Sequence, residues 1–375
     1  MQADNKYSGA ALFLVTSITE SPGDRLRVGQ FLPYLEKQGF QCRVSNFYSR
    51  KVYHQISGMK KPLVRFLFFV IWGLLKTTYA LLFTARKCDL ILIRKQSIPF
   101  APWFYLKLLL DISDKPLIYD FDDAVFTYVD PERGKLATLL KNKLGKTDRL
   151  IQYSSTVIAG NEKLAEYAKK LNRRVALIPT AVDTDRLIPS HKSDRNNQIS
   201  VGWVGTLSTS PYLKSIKTVL LQLQRDLPQM IVRIITHRDA RADFAEFDFQ
   251  EWSQEREPEL VSSLDIGLMP LPNNRWTEGK SGFKILLYFA VGIPAIVSPV
   301  GVNRQIVQNG ENGLWAESDD QWYDSIKRLV MDFPLRNKMG AEGRKLVESK
   351  FSVKICVELF TNVIASALPK SQKAI

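Results

Sequence analysis

Short apolar runs alternate with amphipathic stretches along most of the chain. Residues 11–16 are apolar almost without interruption, the pattern of a strand buried on both faces. Similar runs predict strands at 41–46, 89–94, 116–120, 156–159 and 174–178, the last ended by Pro179. Helical periodicity falls at 25–38, closed by Gly39, and at 99–112, 132–146 and 161–171. A turn-rich loop, 21–24, separates the first strand from the first helix. The polar stretch 191–198 reads as a surface connection. Beyond it the rhythm restarts, with strands at 198–204, 231–236, 265–269 and 294–298. Helices are expected at 211–225, 255–263, 281–291, 319–331 and 335–367. Repeated βα units imply an α/β protein of two Rossmann-like, doubly wound parallel sheets. The expected domains are residues 1–182 and 183–355, with 356–375 a helix packing back on the first. Such domains hold ligands at the carboxyl ends of their strands, so a cleft is expected where the two ends face each other.

Composition fits this reading. The 375 residues are 45% hydrophobic and 24% charged, which excludes wholesale disorder. Cys42, Cys88 and Cys356 lie far apart, so neither a disulfide framework nor a structural zinc site is expected, and a reducing compartment fits best. The first ten residues lack a basic stretch followed by an apolar one, so no signal peptide is expected. The charge is uneven. Of 52 Lys and Arg and 38 Asp and Glu, residues 1–180 hold 28 and 15, and residues 181–375 hold 24 and 23. Residues 37–88 carry ten basic side chains and no acid. A one-sided field of this kind attracts an anionic partner.

Inside that acid-free stretch lies an apolar segment, 66–83, whose uninterrupted part covers only residues 66–75. A spanning helix needs about twenty apolar residues. Phe68, Phe69 and Trp72, with Arg65 and Lys76 beside them, suit a helix lying in the interface of an anionic membrane. The alternative is a core helix of the α/β domain. Nucleic acid is the competing partner for the charge, but the aromatics form one greasy run instead of alternating with basic and polar positions. No nucleic-acid motif is present, and lipid is the expected surface.

The second half carries an ordered set of motifs. Ser200-Val-Gly-Trp-Val-Gly205-Thr is a strand followed by a small-residue turn. Then come Asp265-Ile-Gly-Leu-Met-Pro, Glu278-Gly-Lys-Ser-Gly-Phe-Lys284 leading to Ala290-Val-Gly292-Ile-Pro, and Asn309-Gly-Glu-Asn-Gly313. With Ile178-Pro-Thr-Ala-Val-Asp183 at the junction, these resemble the C-terminal half of GT-B glycosyltransferases of the glycogen-synthase-like family 4 type. The first half resembles the same family more loosely, through Ser21-Pro-Gly-Asp-Arg25-Leu-Arg27 and Tyr119-Asp-Phe-Asp-Asp-Ala124. The resemblance implies a GT-B fold with a nucleotide-sugar site in the second domain and an acceptor site in the first. It implies transfer with retention, with neither a metal nor another cofactor.

A departing nucleoside diphosphate asks for fixed cations and N–H dipoles. Lys280 and Lys284 lie four apart on one helical face beside Gly279 and Gly282, and Gly205 and Thr206 form a turn of the phosphate-cradling kind. Lys214 falls near a position where the family often has a phosphate-binding lysine, and His237 follows a strand end. The chain departs from the family at its paired glutamates, whose positions fall on Gly279 and Leu287. Glu278 stands one residue out of register and is the candidate for donor-sugar contact. In the first domain Asp120, Asp122 and Asp123 follow a strand. Asp122 falls near the family's active-site histidine and is the candidate for the acceptor proton. Asp120, Asp123, Arg25 and Arg27 are candidates for holding a diphosphate or an anionic acceptor. The combined reading is a glycosyltransferase acting on a lipid-linked or anionic glycan in bacterial surface polysaccharide assembly. It would sit peripherally on the cytoplasmic face of the inner membrane. The alternative is a GT-B binding or partner subunit that lost catalysis with its glutamates.

Overall fold

The computed structural model describes residues 7–57, 63–95, 97–126, 145–189 and 198–368. Most of the helix expected at 132–146, the Lys60-Lys61 pair and residues 191–197 of the expected connection lie outside them. The chain divides into two compact units. The first comprises the described residues through Thr180 and those from Cys356 onward. The second is Ala181–Ile355.

The first unit is built on six strands: β1 (Ala10–Val15), β2 (Gln41–Asn46), β3 (Leu90–Arg94), β4 (Leu117–Phe121), β5 (Thr156–Ala159) and β6 (Val175–Leu177). All pair in parallel, in the order β2-β1-β3-β4-β5-β6. Every residue of β1, β3 and β4 is buried, as apolar runs covered on both faces require. The more polar β2 takes an edge. Strand order reverses between β1 and β3, the switch point where such sheets leave room for a ligand.

The second unit repeats the plan with β7 (Ile199–Val204), β8 (Met230–Thr236), β9 (Asp248–Glu251), β10 (Ile266–Met269), β11 (Ala295–Val297) and β12 (Gly313–Trp315). These too are parallel, in the order β12-β11-β10-β7-β8-β9, with the switch point between β7 and β10. The edge strands β9 and β12 escape the sequence pattern, being short and, in β9, polar.

Other elements differ from expectation too. The loop at 21–24 is a helical turn, with Pro22 at its start and Ser21 Oγ accepting from the Asp24 N–H at 3.4 Å. The helix expected over 335–367 breaks at Ser352, where Val182 and Ser352 form a parallel bridge. The bridge takes backbone groups that a continuous helix would need: the Val182 N–H donates to the Phe351 carbonyl, and the Val353 N–H to that of Val182. The Val353–Ala367 helix then reaches the first unit, where Phe360 packs on Phe31 with ring centroids 5.0 Å apart. The Leu63–Tyr79 helix, which continues in helical turns to Lys87, is neither wholly buried nor wholly exposed. Val70, Thr77, Ala80, Leu81 and Ala85 are buried, while Phe68 and Trp72 stand outside. Phe69 and Lys76 are partly buried.

Candidate functional site

In the second unit the candidate residues gather at the carboxyl end of β7. Trp203 is fully buried, and Gly205 leaves room for it: a Cβ there would stand 2.3 Å from the indole ring. The turn that follows carries three hydroxyls. Thr206 Oγ1 lies 3.0 Å from Ser208 Oγ and 3.4 Å from Thr209 Oγ1. Lys284 reaches the same place from the first turn of the Phe283–Ala290 helix. Its Nζ donates to Thr209 Oγ1 at 3.2 Å and stands 4.6 Å above the Trp203 ring. Lys280 Nζ lies 4.4 Å above the Trp276 ring, just before that helix. Burial, and then the neighbouring Lys280 charge, push the Lys284 ammonium down to about 7. Two ammonium groups at a helix start also oppose the helix dipole. An anion would relieve both repulsions, so the arrangement suits a phosphate group.

Glu278 and Gly279 belong to a tight turn, Thr277–Gly279, that precedes these lysines. Gly301, at φ +54°, packs directly on it: a Cβ there would fall 2.4 Å from the Glu278 carbonyl oxygen. The turn is thus fixed, with the Glu278 side chain partly exposed. Leu287 is buried among Val204, Met269 and other apolar side chains, so the position of the family's second glutamate serves the core.

Two expected donor residues are engaged elsewhere. Lys214 pairs with Asp243 at 2.9 Å on the surface. His237 is exposed, and its Nδ1 accepts from the Asp239 N–H at 3.3 Å, capping the Arg238–Phe244 segment. Both corrections have one cause. The chain following β8 makes its own surface contacts and draws these side chains to it.

In the first unit the aspartates lie at the carboxyl end of β4, one strand from the switch point, and they are paired. Asp120 is fully buried between Arg27 and Arg94. Arg27 binds both its oxygens and donates from Nη1 to the Ile178 carbonyl at 2.6 Å. Arg94 lies opposite Asp120 in the β3–β4 register, places Nε 3.1 Å from Asp120 Oδ2, and donates from Nη2 to Asp122 Oδ1 at 2.7 Å. Lys95 pairs with Asp123. Asp24, also buried, accepts from the backbone N–H groups of Thr16 at 2.8 Å and Ser17 at 3.0 Å. Desolvation raises the Asp24 pKa, and the Arg94 charge offsets this only in part. Burial disfavours the Arg94 charge too, but Asp122, Asp120 and Asp24 outweigh it and hold the guanidinium protonated.

This network corrects the expected roles of Arg27 and Asp120. They neutralise each other inside the fold, because the sheet buries both faces of β4 and an unpaired carboxylate there would be costly. Asp123 is tied to Lys95. Asp122 is buried too, with one carboxylate oxygen held by Arg94, while Arg25 is partly exposed. Arg94, Lys95 and Asp24 were missed in the sequence. Their signal was an Arg-Lys pair ending the strand that precedes the aspartate strand, since parallel neighbours bring such ends together. Among the described residues no group of three or more His, Cys, Asp or Glu is placed to hold a metal ion.

Residues 199–332, from β7 to the end of the Asp319–Met331 helix, match the family described as Glycosyl transferases group 1. The match covers most of the second unit. The site around Lys284 lies wholly within this glycosyl transferases group 1 segment. The whole chain has the GT-B fold. It superposes on the glycosyltransferase from Rickettsia africae with a TM-score of 0.69 and 13% identity, covering 97% of this chain and 99% of that one. It superposes on Anabaena Alr3699/HepE, crystallised with UDP and glucose, with a TM-score of 0.66 and 15% identity, covering 96% and 100%. A curated relative, the capsular polysaccharide biosynthesis glycosyltransferase CapM of Staphylococcus aureus, is 34% identical over 85 residues. That alignment spans 22% of this chain and 22% of the relative's length.

Proposed function

We propose that the protein is a glycosyltransferase that takes a sugar from a nucleotide-sugar donor held by its second unit. The observation that carries this is the meeting of Lys284, Lys280 and the Thr206–Ser208–Thr209 hydroxyls at the end of β7 and the start of a helix. As the glycosidic bond breaks, negative charge grows on the leaving diphosphate. Lysines already held in place stabilise that charge without reorganising. Glu278, on its fixed turn, is assigned to the donor sugar. The UDP and glucose bound by HepE make a uridine nucleotide the first donor to try.

The acceptor belongs to the first unit, where Asp122 takes the proton of the attacking hydroxyl and Arg25 faces an anionic group. The Arg94 contact orients Asp122 for this. CapM supports a glycan of a surface polysaccharide as the acceptor class. Retention and a reaction without metal follow from the family 4 resemblance and are part of the proposal. A second reading, a binding subunit without catalysis, draws on Leu287, which cannot hold ribose hydroxyls as a glutamate would.

Thermal denaturation with UDP, GDP, ADP and CMP tests donor binding. A ligand at 100 times its Kd stabilises by about 2.7 kcal/mol. The proposal expects one nucleoside diphosphate to do so and Lys284→Met to abolish the shift. Equal curves for all four would reject a nucleotide site.

A further inference from the structure

The outer face of the Leu63–Tyr79 helix and its extension carries Leu67, Phe68, Ile71, Trp72, Leu75, Tyr79 and Phe83, all about half exposed or more. Their spacing draws one stripe along the helix. A second helix, Trp103–Ser113, lies beside it. Thr78 Oγ1 and Tyr105 Oη share a hydrogen bond, and Phe66 meets Phe100 edge to face at 5.6 Å. This second helix also turns apolar side chains outward at four-residue spacing: Phe104, 74% exposed, Leu108, 57%, and Ile112, 52%. Two segments distant in sequence thus form one apolar surface. Patches of this size on a soluble domain mark an interaction site.

The chemistry at its margin says what covers it. From Leu63 to Lys87 there is no acidic side chain. Arg65 stands 5.8 Å above the Phe69 ring, and Arg86 stands 5.9 Å above that of Phe83. On the second helix Asp111 is neutralised by Lys107 at 2.6 Å and also accepts from Tyr153. A second copy of the chain is a poor partner, because a twofold contact would set this basic margin against itself. An anionic lipid leaflet complements both the apolar face and the cations.

The way the first helix is anchored decides how lipid is met. Arg65–Lys87, 23 residues, is by length and composition long and apolar enough to cross a bilayer. Its inner face, however, is packed on the sheet. Gly73 lies so close to Phe47 that a Cβ would stand 2.5 Å from that ring, and Thr77 and Leu81 are buried beside it. A helix packed in this way has only half its circumference for lipid. We propose that the two helices form a single monotopic docking surface, half-embedded in one leaflet of an anionic membrane and lying along its plane.

The test uses the full chain and vesicles of phosphatidylcholine with or without phosphatidylglycerol. The parent should sediment with the anionic vesicles, less with neutral ones, and be stripped by alkaline carbonate. Phe104→Glu with Leu108→Glu should weaken binding roughly tenfold or more, as Phe68→Glu with Ile71→Glu should. Phe104 and Leu108 are the sharper pair, because a single-helix anchor would not notice them. Brominated lipids add a readout that needs no folded variant. Trp72 fluorescence, taken as the difference from Trp72→Phe, should be quenched by bromines near the headgroup end of the chains. Parent-like binding by the Phe104/Leu108 variant, strongest quenching at the bilayer centre, or resistance to carbonate would each overturn the proposal. So would a dimer in solution that both double variants dissolve while vesicle binding stays unchanged.

Discussion

In the proposed donor site, Lys284 would set the pH behaviour. Its ammonium is held near 7 against an ordinary 10.5, chiefly by burial. In the empty protein the proton is therefore lost well below the unfolded value, and native stability should rise as pH climbs from about 7 toward 10.5. A bound diphosphate acts the other way and raises the Lys284 pKa. Nucleotide binding above pH 7 should thus take up a proton and weaken by up to about tenfold per pH unit. Calorimetry in buffers of different ionisation enthalpy reads this proton uptake. Lys284→Met should bind weakly with no such slope, and a pH-independent parent would remove Lys284 from the phosphate contact. Arg94 makes a different prediction. Its loss leaves Asp120, Asp122 and Asp24 facing one another with less compensation, so Arg94→Met should cost about 3–5 kcal/mol in denaturant unfolding. Lys214→Ala breaks only an exposed pair and should change stability by less than about 1 kcal/mol while leaving nucleotide affinity alone. At this scale the sequence was uneven. Lys280 and Lys284 were legible as a pair because four residues separate them, although the helix carries only Lys284 and Lys280 stands in extended backbone just before it. The tie of Arg27 to Asp120 was not, since 93 residues separate them and only the sheet brings them together.

Elements explain why the sites stand where they do. Each sheet reverses its strand order once, and the Lys284 cluster and the Arg94 network both lie at the carboxyl edges beside that reversal. Strands with unbroken apolar runs, such as β1 and β3, could be read directly because burial on both faces leaves no room for polar alternation. β9 and β12 could not, being edge strands of four and three residues with little apolar patterning. The break at Ser352 was invisible for another reason: it depends on a bridge to Val182, far away in the chain. The turn after β7 offers the test proper to this scale. Gly205→Ala would drive a methyl group into the Trp203 ring on which Lys284 rests. It should cost about 1–3 kcal/mol and weaken nucleotide binding by moving Lys284. Chemical denaturation and nucleotide titration of this variant check both effects.

The whole molecule divides its labour by charge. The surplus of basic residues lies in the first half, which carries the paired helices, while the second half is nearly balanced and carries the segment that matches the group 1 family. In the proposed function a few fixed lysines would meet the nucleotide sugar, and a broad basic field the acceptor. The central claim is that this arrangement transfers a sugar. The most direct measurement is mass-spectrometric detection of nucleoside diphosphate released from a panel of nucleotide sugars by the full chain, with Lys280→Met/Lys284→Met alongside. The account predicts slow release from one donor even without acceptor, abolished in the double variant. Release from none of them, by a protein that nonetheless binds a nucleotide, would contradict it and favour the binding subunit that Leu287 suggests.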